Sequence, residues 1–449
     1  MRFNQNNSAT TEHVYYNTYL KKNKSLNMFF NMLLFLNNRL FYGLILIMRE
    51  FNLINGIVTN LKQNKNTPRI ALSLNFSINE AEKFAGEYLL MNRLLLKGTK
   101  KYSSEELATI LDENAIDLYT EMKYDYLRFR FIALNEDFEL ALSLLAEIIL
   151  NSTFEEFEKE KEKLKGELLA DLDSAKTKVS DLFTKTIYKD HFYGHSYTVI
   201  LEQLDNVTID DVKKAYLNIL KNSQKALALV GDIEFENASM LLNKFLGDIP
   251  QSIEQSSSIN SPEKINNEYA EIIKEDAQQA QIIQGWRVAS IGSEDYPRLM
   301  LLNVILGASG LSSRLFLELR EKKGLAYTVR SSYENHSKAA VFSIYIGTEP
   351  ANIETSIAGF KEEIEKIKNV LVSEEELRNA KNNIIGKQQF ITETNSQQAN
   401  LMAYYAITGK PFNYQNQVIE MLKKVTPEEL KDCANKYFTN DYVLAVLKP

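Results

Sequence analysis

Residues 310–333 read GLSSRLFLELREKKGLAYTVRSSY, and the fold turns on how this stretch divides. Its first part has a helical pattern: Leu311, Leu315 and Leu319 fall four apart on one face, with Leu317 and Glu318 filling the turn between. Gly324 follows the polar Glu321, Lys322 and Lys323 and ends the helix, because glycine takes the left-handed conformation at low cost. Leu325–Tyr333 is rich in β-branched and aromatic residues and reads as a strand. The helix delivers Arg320 near its last turn, and the strand presents Tyr327 seven residues on. The residues alone leave two readings open. A guanidinium fork beside a phenol suits the gripping of a peptide carbonyl or an oxyanion. Equally, Arg320 serves as a favourable cation at a helix C-terminus, and Tyr327 as a half-buried strand aromatic.

The whole-chain totals set the frame. At 449 residues the chain is too long for one ordinary core and implies two or more domains. A hydrophobic fraction of 45% with 25% charged residues is the profile of a soluble globular protein. The net charge of −7 leaves no basic surplus to neutralise phosphates, so nucleic acid is not expected as a partner. The single cysteine, Cys433, excludes an internal disulfide and a cysteine-rich metal site, and its apolar helical context suits a small core residue. Four histidines leave little material for a histidine-based metal centre.

Residues 1–47 form a poorly ordered or apolar extension: 1–25 are polar and aperiodic, and 26–48 are the most apolar stretch, interrupted by Asn31, Asn37, Asn38 and Arg39. A membrane anchor or uncleaved signal, an amphipathic helix, and a natural start at Met48 are all compatible with it. Membrane contact is expected only through residues 26–48. The compartment follows the same alternatives: cytoplasmic for a start at Met48, membrane-associated or exported for an anchor or signal.

From Phe51 the pattern tightens. Leu53–Asn55 and Ile57–Leu61 read as a hairpin turned at Asn55-Gly56. Alternation of Ile70, Leu72, Leu74 and Phe76 with Ala71, Ser73 and Asn75 predicts a half-buried strand. Helices are expected over 80–96, 105–114, 138–149 and 154–185, a strand pair at 119–122 and 126–134, and a Thr208-capped helix before a strand at 226–230. Gln251 to Asn267 is polar, Ser-rich and holds Pro262, so 251–269 is read as a linker between halves at 48–250 and 270–449. The second half retraces the first. Val207-Thr208 opening a helix before a strand is echoed by Val425-Thr426, and Ser103-Ser104 by Ser312-Ser313. The architecture expected is α+β, two similar halves, each an antiparallel-rich sheet covered by helices.

The run SSRLFLELREKKGLAY at 312–327 resembles the signature of the C-terminal half of pitrilysin/insulinase-type peptidases, the inverted zincins that include the mitochondrial processing peptidase. The resemblance spans residues 51–449, in the first half mostly as layout. It implies two halves facing each other across a substrate cavity, and it casts Arg320 and Tyr327 as a pair that binds substrate backbone. Active members carry H-x-x-E-H on a helix ahead of a K-G-T turn, with two histidines on zinc and the glutamate activating water. Here Lys97-Gly98-Thr99 fixes the register, and the five positions are Leu89-Leu90-Met91-Asn92-Arg93. Leu89 and Arg93 replace the histidines and Asn92 the general base, so no catalytic residue is assigned. Glu160 and Glu167 match the family's essential and metal-ligand glutamates, and without histidines Glu167 reads as a helix-surface carboxylate pairing with Arg93.

By that resemblance the chain is a non-catalytic, substrate-binding subunit of a heterodimeric peptidase acting on unfolded peptides. It binds no zinc itself; zinc, and the water that attacks the scissile carbonyl, come from a homologous H-x-x-E-H partner. The alternative is a structural or peptide-binding protein of the same fold without a proteolytic role, as the respiratory-complex core subunits are. His191-Phe-Tyr-Gly-His195, with Gly194 inside the pair, reads as a structural loop and not as a metal site, and His336 as a solvated loop residue.

Overall fold

The computed structural model describes residues 48–253 and 257–449; the expected extension over 1–47 lies outside the described residues. Two mixed sheets organise it. The first contains β1 (Met48–Asn52), β2 (Val58–Gln63), β3 (Arg69–Ser77), β4 (Asp117–Met122), β5 (Tyr126–Leu134) and β6 (Lys225–Gly231), in the order β1-β2-β6-β3-β5-β4. The second contains β7 (Glu268–Ile273), β8 (Ala280–Val288), β9 (Ala326–Asn335), β10 (Ala340–Thr348) and β11 (Val443–Lys448), in the order β7-β11-β8-β10-β9. With β1 set aside, the strand order is the same in both halves: first, fifth, second, fourth, third. The pairings repeat too, with β2 parallel to β6 and β7 parallel to β11, and all others antiparallel. The internal repeat is therefore a repeat of topology, with β7 taking in the last two residues of the expected linker.

Capping chemistry explains why the repeat is legible. Thr208 and Asp211 form a capping box at the start of the helix Ile209–Asn222, and Thr426 with Glu429 does the same for Pro427–Tyr437. Each box satisfies orphan backbone N–H groups at a helix start. Cys433 is buried in the second of these helices, where burial pushes its thiol up to about 12.

Several local expectations change in the structure. The hairpin at Gly56 (φ +76°) pairs strands that begin farther out, Asn52 opposite Val58, because Leu53 N donates to Ile57 O inside a five-residue loop. The helix expected over 80–96 spans only Glu87–Leu94. Gly86 is left-handed there, and the Glu82 carboxylate accepts from Gly86 N and Tyr88 N in place of a preceding turn. The helix expected over 154–185 is two, Phe157–Leu172 and Ala175–Ile187, with Ser174 capping the second. In the stretch 310–333, Leu311 is exposed while Leu315 and Leu319 are buried, since the helix is entered after Ser313. In the mixed-charge run 158–165, Glu160 is buried, and Lys161 Nζ donates to Val207 O at 2.9 Å.

The largest correction concerns β3, expected to be half-buried and in fact buried on both faces. Ile70, Leu72, Leu74 and Phe76 face the helices of their own half. Ala71, with Ala228 and Val230 of β6, packs against Ala399, Met402 and Ala403 on the helix Asn395–Ile407, which belongs by sequence to the other half. The exchange is reciprocal. The helix Ala175–Ile187 crosses to the second sheet, where Val179, Phe183 and Ile187 join Ile283, Val341, Val443, Ala445 and Leu447. Gly285 of β8 lies beneath Phe183, and a Cβ there would come within 2.4 Å of its Cζ. Each sheet thus carries its own helices on one face and a borrowed helix on the other.

Candidate functional site

The helix Glu87–Leu94 carries the five positions that resemble a metal motif. Leu89 packs half-buried against the first core, and Asn92 O accepts from Thr120 Oγ1 at 3.3 Å. Arg93, one helical turn on from Leu89, reaches the helix Phe157–Leu172. Its Nη2 donates to Glu167 Oε2, Nη1 lies 3.4 Å from Glu167 Oε1, and Nη1 is 3.6 Å from Glu160 Oε2. Lys97 closes the network, its Nζ 2.9 Å from Glu160 Oε1. Glu160 is almost fully buried, and its two oxygens face two cations. The Arg93 hydrogen bond holds the Glu167 carboxyl below the usual glutamate range.

Two carboxylates and two fixed cations make a locally neutral cluster. Zinc does not fit it. The two histidine positions offer a leucine methyl and a guanidinium, neither of which donates a lone pair, and both glutamates are already engaged. A divalent ion here would sit against the charge of Arg93. Among the described residues no group of three histidines, cysteines or carboxylates could hold a metal ion.

The second candidate pair is differently placed. Arg320 lies in a π-helical turn, Phe316–Lys322, which Gly324 (φ +62°) ends as Leu325 N donates back to Leu319 O at 2.9 Å. That reversal turns the chain into β9 and brings Tyr327 beside Arg320. The guanidinium carbon lies 4.7 Å from the centroid of the Phe316 ring and 4.9 Å from that of Tyr327. Its one ion-pair contact among the described residues is Glu321, 3.9 Å from Nε. Tyr327 is 79% exposed, on the edge strand of the second sheet. The structure brings Arg320 and Tyr327 together, and separately brings Arg93, Glu160 and Glu167 together. It leaves Leu89 and Asn92 outside the charged network.

Residues 57–203 match the insulinase family (peptidase family M16), and residues 206–384 match the peptidase M16 inactive domain. The chain belongs to peptidase family M16. A Bacillus subtilis relative described as uncharacterized zinc protease YmxG is 25% identical over 409 residues, 90% of this chain and 98% of that one. A Helicobacter pylori relative described as non-peptidase homolog YmxG is 24% identical, over 80% of this chain and 83% of that one. Among solved structures, a protease from Helicobacter pylori superposes with a TM-score of 0.81 at 22% identity, covering 90% of this chain and 99% of that one. A peptidase M16 inactive domain from Pseudomonas fluorescens gives 0.81 at 21% identity, covering 90% and 98%. These neighbours share the two-half architecture.

In this M16 chain the three described histidines gather at the junction of the halves, and one of them departs from expectation. His336 is not solvated; its ring packs on Tyr124, Tyr188 and Tyr193, with centroids 5.2, 5.9 and 4.5 Å away. Burial lowers its pKa, with Asp125 opposing. Asp125 accepts from Ser337 N and Tyr193 Oη, both at 2.8 Å, which pins the β9–β10 turn to the first half. His191-Phe-Tyr-Gly-His195 is a 3₁₀ turn in a loop, as read from Gly194. His191 Nε2 meets Asn260 O at 2.9 Å and His195 Nδ1 meets Glu82 at 2.7 Å, so both are structural partners. Among the described residues no helix is long and apolar enough to cross a membrane.

Proposed function

We propose that this M16 chain is the non-catalytic, peptide-holding subunit of a two-chain peptidase whose zinc resides in a homologous H-x-x-E-H partner. The contrast between the two arginines carries the reading. Arg93 closes the metal position with carboxylates, while Arg320 meets among the described residues only the Glu321 carboxylate, 3.9 Å from its Nε, and lies against an exposed tyrosine. On this reading Arg320 donates to a substrate carbonyl, and the Tyr327 hydroxyl donates to the same backbone or to the developing oxyanion. An extended, unfolded peptide suits such backbone contacts, because a folded domain has its carbonyls already paired.

The test is cleavage of a quenched fluorescent peptide library by this chain alone, by the partner alone and by the mixture, with zinc analysis of each. Activity confined to the mixture, with zinc in the partner, supports the reading, and Arg320→Ala and Tyr327→Phe should then each lower kcat/KM by about 100-fold. Full activity in both variants would sink the assigned roles. The Helicobacter relative described as a non-peptidase homolog favours a second reading, a peptide-binding or structural protein without proteolysis. A stable complex that cleaves nothing would select it.

A further inference from the structure

A second cationic feature lies away from Arg320, on the inner face of the second sheet. Arg330 of β9 and Tyr345 of β10 are direct cross-strand partners, and the Arg330 guanidinium carbon lies 5.6 Å from the Tyr345 ring centroid. Lys176, near the start of the crossing helix Ala175–Ile187, places its Nζ 5.6 Å from the same centroid. Neither cation forms an ion pair or a hydrogen bond among the described residues. Two charges from opposite halves therefore converge on one ring with no anion between them. The Tyr345 hydroxyl does not serve them, since it donates to Gln281 Oε1 at 2.6 Å.

These groups line a cavity of about 110 Å³ between the crossing helix and the β9–β10 strip. The next pair on the same sheet face is Ser332 opposite Ser343, and Ser180 faces them from the helix, so hydroxyls continue the polar lining. Glu334 closes the far end. It sits four residues from Arg330 on the same strand face, roughly 13 Å along the backbone, and no ion pair joins the two among the described residues. The cavity is bipolar, cationic at Tyr345 and acidic at Glu334.

We propose that this cavity binds a peptide carboxylate, held by Lys176 from one half and Arg330 from the other; the proposal rests on the peptide-binding reading above. A carboxylate is planar, accepts from both a guanidinium fork and an ammonium, and fits a space of this size. Both a chain-terminal carboxylate and an acidic side chain supply that chemistry. The surrounding hydroxyls receive the adjoining amide groups, and the Glu334 end disfavours a second negative charge farther along.

The test is fluorescence anisotropy at low salt with labelled, N-acetylated alanine-serine decapeptides. One ends in a free carboxylate, one in an amide, and one in an amide with a single internal glutamate. Each is titrated onto the full chain and onto Lys176→Gln, Arg330→Gln and Glu334→Gln. At least one carboxylate peptide should bind about tenfold more tightly than the neutral amide, and added salt should narrow the gap. Which one it is tells a terminal from a side-chain carboxylate. Lys176→Gln and Arg330→Gln should each erase most of the preference, while Glu334→Gln should strengthen it, a gain that misfolding cannot produce. Equal affinity for all three peptides, or a preference that survives both cation substitutions, overturns the site while leaving peptide binding standing. Failure to bind any of them overturns both readings.

Discussion

Arg93 and Arg320 are exposed to similar degrees, 25% and 33% of their side chains, yet they live in opposite company. Arg93 meets Glu167 and the buried Glu160, and its charge is consumed inside the protein. Arg320 lies between the rings of Phe316 and Tyr327. A ring face attracts the cation without occupying its N–H donors, whereas a carboxylate occupies them. The fold offers a cation to its surroundings at both places; the neighbours decide whether that cation holds helices together or rests on aromatic rings. Where the family's active members would need a metal, this chain has supplied its own positive charge.

That comparison is sharpened first by Arg93→Met. The substitution leaves Glu160 buried with Lys97 alone and removes the tie between two helices, and urea unfolding should show a loss of about 2 kcal/mol. A loss below about 0.5 kcal/mol would break the claim that Arg93 is structural. A smaller effect follows from pH. The Glu167 carboxyl is depressed in the folded chain by Arg93, so its contribution is present above the unfolded glutamate value of about 4.3 and is lost as pH falls through the lower folded value. The stability gap between the native chain and Arg93→Met should therefore narrow on acidification below that range, as measured by unfolding at a series of pH values. The gap will not vanish through Glu167 alone, since that side chain is half exposed. The smallest change in stability belongs to Arg320→Ala, within about 0.5 kcal/mol, in the same variant that should cost the mixture most of its activity. A large loss of stability there would make Arg320 a second structural arginine and dissolve the contrast.

The sequence was most readable where structure depends on short-range chemistry. Thr208 and Thr426 announce their helices, Gly324 ends the Arg320 turn, and the Arg93–Glu167 pair follows from the lost histidines. Two missed boundaries also carried local signals, Gly86 before a shortened helix and Ser174 at a helix break. What was not readable depends on residues far apart in the chain. Ala71, Ser73 and Asn75 look like a solvated face because they are small or polar; they are small because a helix from more than three hundred residues away lies against them. His336 sits in a polar run, and nothing beside it signals that Tyr124, Tyr188 and Tyr193 close around its ring. The Lys176–Arg330 pair is invisible for the same reason: its two members come from different halves.

The reciprocal helices also govern how the chain is made. When the ribosome has delivered residues 48–250, the helix Ala175–Ile187 still lacks the sheet it crosses to, because β8 and β11 lie later in the chain. Val179, Phe183 and Ile187 wait for Ile283, Val341, Val443, Ala445 and Leu447, and the inner face of the first sheet waits for residues 395–407. Folding half by half behind the ribosome therefore leaves each half with an apolar face uncovered. Exposed apolar surface of that kind favours association. The first half on its own is expected to be adhesive until residues 395–407 have emerged, and a fragment truncated before them to seek a substitute helix from its neighbours.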